Sequence, residues 1–111
     1  MRLTIKLIVT LPNGYVVNDE QISHRNELTV WSKEVSNYYP EFVNEIISEA
    51  LQAACNKLGK TYHKELKSFF PELSAHLFAD ECGLRPSLHI NAETIVLMSE
   101  AGCAFDFDPY I

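Results

Sequence analysis

The sequence predicts an α+β fold: a single antiparallel sheet of about five strands with helices packed on one face. Three observations carry that prediction. Segments at both ends alternate apolar and polar residues with period two, as half-buried strands do. The longest central segment instead places its apolar residues three and four apart, as an amphipathic helix does. Strand-like runs also follow one another across turn signals, which favours antiparallel neighbours. At 111 residues and 47% hydrophobic, the chain is read as one domain, 1–111, with one core.

In chain order, Leu3, Ile5, Leu7, Val9 and Leu11 alternate with Arg2, Thr4, Lys6, Ile8 and Thr10, a first strand that ends at Pro12-Asn13-Gly14. Tyr15-Val16-Val17 has the composition of a short strand, and Asn18–Gln21 reads as a surface loop. Glu27–Lys33 is rich in β-branched and aromatic residues and reads as the second strand. Pro40 opens the longest helix, with Glu41 and Glu45 at the positive end of its dipole. Val43, Ile46, Ile47, Ala50, Leu51, Ala54 and Leu58 form its stripe, and Gly59 stops it. Thr61 is placed as the cap of a short helix carrying Leu66, Phe69 and Phe70, halted by Pro71.

Beyond Pro71 the period returns to two. Leu73, Ala75, Leu77 and Ala79 mark a third strand, residues 81–86 a turn, and Ser87-Leu88-His89-Ile90 a fourth strand paired with it. Asn91 caps a helix with apolar positions Ile95, Val96 and Met98, ending at Gly102. The final strand runs from Cys103, with Phe105 and Phe107 facing the core and Asp106 and Asp108 facing out.

The charge is unevenly distributed. Residues 1–67 carry eight acidic and eight basic side chains. Residues 68–111 carry Glu72, Asp80, Glu81, Glu93, Glu100, Asp106 and Asp108 against Arg85 alone, so the net −6 falls in that segment. A one-signed surface repels nucleic acid and membranes and steers basic partners. The basic cluster of Lys57, Lys60, His63, Lys64 and Lys67 reads as a solvated helix end, lacking the arginines and interleaved aromatics of a nucleic-acid site. No apolar run approaches the ~20 residues of a membrane span, and Thr4 and Lys6 break the start as a leader, so the expected location is cytoplasmic. Three cysteines without a Cys-x-x-Cys pair imply neither a disulfide framework nor zinc. Cys55 and Cys103 read as buried apolar residues and Cys82 as exposed in a turn.

The run Glu72–Asp80, the segment Leu88–Thr94 and the ending Ala101–Tyr110 together resemble the uncharacterised bacterial domain-of-unknown-function family 4279. Its members end in a hairpin, a short helix and a strand of apolar and acidic residues closing on Asp-x-Tyr. Asp108-Pro109-Tyr110 fits that ending, and Trp31 followed by the helix 40–58 fits its tryptophan and central helix. The resemblance brings no catalytic residues or cofactor. It implies an immunity role only through the association of such small domains with bacterial toxin systems.

If helices cover the apolar side, the other face of the sheet gathers Thr4, Lys6, Thr10, His76, Phe78, His89, Asp106 and Asp108. A one-residue slip of any strand would turn its side chains to the other face. Lys6 is the expected cross-strand partner of the two aspartates. No phosphate loop, nucleophile elbow, His-Glu-x-x-His or dinucleotide fingerprint occurs, so neither catalytic residues nor a cofactor is assigned. The function expected is that of a small acidic protein-binding module and not an enzyme. Its sharpest form is an immunity protein that blocks a basic toxin domain, such as a nuclease, through Asp80, Glu81, Glu93, Glu100, Asp106, Asp108 and Tyr110. A second reading is a small enzyme or metal binder using His76, His89, Asp106 and Asp108. A third is a homodimer paired through a sheet edge.

Overall fold

The computed structural model describes residues 1–15, 26–78 and 87–110. Strands β1 (Arg2–Thr10), β2 (Glu27–Val35), β3 (Glu72–Phe78) and β4 (Ala104–Tyr110) form one four-stranded sheet in the order β2-β1-β3-β4. Helix α1 (Val43–Leu58), entered through a 3₁₀ turn at Pro40–Phe42, packs against β1 and β2. A 3₁₀ helix, His63–Phe69, and helix α2 (Ala92–Ala101) pack against each other and against α1. The α+β class therefore holds, while among the described residues the sheet has four strands and is mixed. The predicted strands at 15–17 and 79–80, the turn at 81–86 and Cys82 lie wholly or partly outside the described residues.

The period-two pattern of β1 places Leu3, Ile5, Leu7 and Val9 in the core and leaves Arg2, Thr4, Lys6 and Thr10 on the other side. Leu73, Ala75 and Leu77 of β3 lie opposite Leu7, Ile5 and Leu3 and are buried with them. Slipping β1 by one residue would expose several such side chains, each worth about 1.5–3 kcal/mol of burial. The exposed Lys33–Glu49 ion pair between β2 and α1, at 2.9 Å, is worth at most about 1 kcal/mol. Burial thus sets the register, and the ion pair only accompanies it.

The fourth predicted strand, 87–90, does not form. Its backbone is bound to the start of α1, with the His89 N–H donating to the Pro40 carbonyl at 3.3 Å. The Asn44 side chain donates to the His89 carbonyl at 2.8 Å and accepts from the Asn91 N–H at 2.9 Å. Asn91 in turn caps α2, its side chain accepting from Thr94 N–H at 2.8 Å. The chain passes through α2 before it re-enters the sheet. A helical crossover returns it to the end of the sheet from which β3 began, and β4 therefore runs parallel to β3.

Other expectations shift in detail. Thr61 does not cap the 3₁₀ helix, whose N-cap position is Tyr62. Leu66 and Phe69 are buried, but Phe70 leaves the helix at φ 46° and is 72% exposed. On α2, Thr94 and Ala101 are the buried residues, whereas Ile95 and Val96 are exposed. Cys55 is buried as expected, and Cys103 is half-buried. Among the described residues no helix is long and apolar enough to cross a membrane.

Two predictions follow from local geometry. Gly59 and Gly102 both end helices in the left-handed region, at φ 69° and 64°. A β-carbon at Gly59 would meet nothing within 4 Å, but one at Gly102 would lie 2.9 Å from Cγ of Lys67. Gly59→Ala is expected to cost about 1 kcal/mol, and Gly102→Ala more than that, read as the larger fall in denaturation midpoint. Tyr38 is buried, with its N–H on the Met1 carbonyl and its hydroxyl on the Pro40 carbonyl at 3.1 Å. Burial, helped by the Glu41 charge, pushes its phenol from 10.0 up to about 12. The unfolded chain ionises this group near 10, so its contribution is complete below pH 10 and is lost as pH rises through about 12. Absorbance titration should show a tyrosine phase near pH 12 that is gone in Tyr38→Phe.

Candidate functional site: the open face of the sheet

Helices cover one face of the sheet, and the other face is built in rows by the strand registers. One row reads Glu34, Thr4, His76, Asp108; the next reads Ser32, Lys6, Ser74, Asp106. Small hydroxyl side chains in the middle of both rows leave a shallow depression of about 450 Å³ between β2, β1 and β3. Asp106 and Asp108 of β4 lie next along the same rows, beside Ser74 and His76, and both are exposed. Glu72 follows on β3, in register with Ala104.

A ladder of rings closes one end of this face. The Arg2 guanidinium sits 4.5 Å from the centre of the Phe78 ring, within cation–π range. Phe78 stacks on Tyr110 at 4.8 Å and 11°, and Tyr110 on His76 at 5.7 Å and 24°. His76 Nδ1 lies 3.8 Å from Asp108 Oδ2, too far for a hydrogen bond. Tyr110 remains 47% exposed although it is stacked. The ladder holds the last described residues of the chain on the sheet.

Of the sequence-predicted site residues, Asp106, Asp108 and Tyr110 come together on this face, joined by Thr4, Lys6, Thr10, His76 and Phe78. Glu93 and Glu100 do not join them. Both are on α2, where Glu93 lines a cleft with Glu45 and Asn44 of α1, and Glu100 lines a cavity with Lys64 and Lys67. Asp80 and Glu81 lie outside the described residues. His89 is also absent from the face, because its segment is bound to the start of α1. The four-residue metal or acid–base set is therefore reduced to His76, Asp106 and Asp108. Among the described residues, no group of three or more His, Cys, Asp or Glu side chains is placed to hold a metal ion.

The expected Lys6 pairing with the aspartates also changes. β3 lies between β1 and β4, so Ser74 separates Lys6 from Asp106. Glu34 of β2, absent from the predicted set, lies across Thr4 on the same face. Its side was not legible from alternation, because a bulge opposite Leu7 and Ile8 inserts Val30 and reverses the parity of β2. Glu72, Asp106, Asp108 and Glu34 thus outnumber Arg2 and Lys6 on the open face. The arrangement suits a cationic group.

No protein-family model matches the chain, and no curated protein or solved structure matches it.

Cys103, at the foot of β4, is a half-buried thiol. Its Sγ–H donates to the Ala104 carbonyl, and burial raises it to about 11, with the Glu72 charge adding to the rise. The thiolate is the nucleophile, so at pH 8 the peptide carrying Cys103 should stay unmodified by iodoacetamide in the folded protein and become labelled on denaturation. Equal labelling rates in the two states, read by mass spectrometry, would contradict this environment.

Proposed function

We propose that this chain is a protein-binding module that takes a basic partner on the open face of its sheet, and that it acts as an immunity protein masking the cationic surface of a toxin domain. The observation that carries the reading is the register of β4, which puts Asp106 and Asp108 on a face that no described helix covers, beside Tyr110. Carboxylates held on a strand keep their spacing without ordering a loop, so little entropy is lost on contact. They would pair with the lysines and arginines by which a nuclease holds phosphates, and their field would speed the encounter. Tyr110 supplies an exposed aromatic next to the charges, the combination common at interface anchors. Glu34 and Glu72 extend the acidic surface, while Glu93 and Glu100 stand apart from it.

The test uses isotope-labelled protein and a lysine- and arginine-rich peptide. Amide shifts should centre on β3 and β4, and they should shrink as salt is added. Replacing Asp106 and Asp108 together by Asn removes two surface pairs at about 0.5 kcal/mol each, about fivefold in affinity. Co-expression with the product of the adjacent reading frame tests the immunity form: growth should be rescued by the wild type and less well by the double variant. Binding that ignores both salt and the double substitution, or maps to α1 and α2, would overturn the reading.

A further inference from the structure

Part of the basic cluster around Gly59, namely His63, Lys64 and Lys67, is gathered at one place on the helical layer. After Gly59 turns the chain, the 3₁₀ helix His63–Phe69 carries Lys64 and Lys67 three residues apart, a spacing that eclipses side chains in this helix type. Both lysines line a cavity of about 550 Å³ together with Thr61, His63, Gln52 of α1 and Glu100 of α2. The site is open to solvent, and its lining is mostly polar. From this geometry we infer a binding site for a small phosphate monoester that also carries an ammonium or hydroxyl group.

The cavity reverses the sign of a protein whose net charge is −6. Two ammonium groups and an imidazole lie around it, with hydroxyl and amide donors from Thr61 and Gln52, against one carboxylate. No ion pair among the described residues joins Lys64 or Lys67 to Glu100, so these charges are open to a ligand. Each lysine also has a neighbour of its own. The Lys67 stem lies against Gly102, where even one added carbon would come within 2.9 Å of it. The Lys64 ammonium sits 5.6 Å from the centre of the Tyr62 ring. Two point charges suit a dianion better than a single carboxylate. Glu100 disfavours a second anionic group and accepts a hydrogen bond from a donor on the body of the ligand.

The test titrates labelled protein with inorganic phosphate, O-phosphoethanolamine and acetate. Shifts are expected at residues 61–67 and 100, with O-phosphoethanolamine the tightest and acetate the weakest. Lys64→Gln, which leaves the Lys67–Gly102 packing intact, should weaken phosphate at least several-fold. Glu100→Gln should tighten inorganic phosphate and abolish the preference for O-phosphoethanolamine. Absence of shifts, shifts elsewhere, acetate binding as well as phosphate, or indifference to Lys64→Gln would each overturn the assignment.

Discussion

The apolar side of β1 has to leave water, and one layer of helices does the covering. Leu3, Ile5, Leu7 and Val9 meet the buried stripe of α1, Val43 through Leu58, and the strands on either side are recruited to the same layer. Burial on that scale, about 1.5–3 kcal/mol for each large side chain, exceeds any exposed ion pair or cap in the structure. It also dictates the other face. Alternation along each strand means that whatever is not buried under the helices is presented on the open side, and the register that maximises burial fixes the neighbours there. The juxtaposition of His76 with Asp108, and of Ser74 with Asp106, is thus a by-product of packing Ala75 and Leu77 beside Phe107 and Pro109.

The second determinant is the return path of the chain. A tight turn between β3 and its neighbour would give an antiparallel pair, whereas a helix long enough to cross the sheet gives a parallel one. Asn44 and Asn91 decide between these outcomes locally. One side chain takes up the backbone groups of 89–91 at the start of α1, and the other starts α2 immediately afterwards. Residues 87–90 are then committed to the helical layer. β4 enters the edge position beside β3, and with it come the two aspartates and Tyr110.

Much of this was legible in the sequence, and the parts that were not share a cause. The period-two pattern of β1, the stripe of α1, the glycine stops at 59 and 102 and the Asn91 cap are short-range features, and each is found where its pattern puts it. The inward turn of Phe105 and Phe107 and the outward turn of Asp106 and Asp108 were legible for the same reason. Ser87–Ile90 was misread because four β-compatible residues say nothing about which partner will take their hydrogen bonds, and that partner, Asn44, lies 45 positions earlier than His89. The helix between β3 and β4 is the sequence feature that carries the parallel pairing, and the turn-like residues at 81–86 point the other way. The face of Glu34 was hidden by a bulge, and the separation of Lys6 from Asp106 by strand order, neither of which leaves a mark in local periodicity.

The net charge illustrates the same limit. Counting along the chain assigns the whole −6 to residues 68–111, as if they formed one acidic surface. In space, the pleat and the α2 crossover divide them. Glu72, Asp106 and Asp108 go to the open face, where Glu34 from the neutral half joins them. Glu93 and Glu100 go to α2, and Glu100 ends beside the lysines of the 3₁₀ helix. The molecule therefore has an acidic sheet face and a locally basic cavity in its helical layer. A cationic partner and a small anion would be drawn to different sides of it, and neither would have to displace the other.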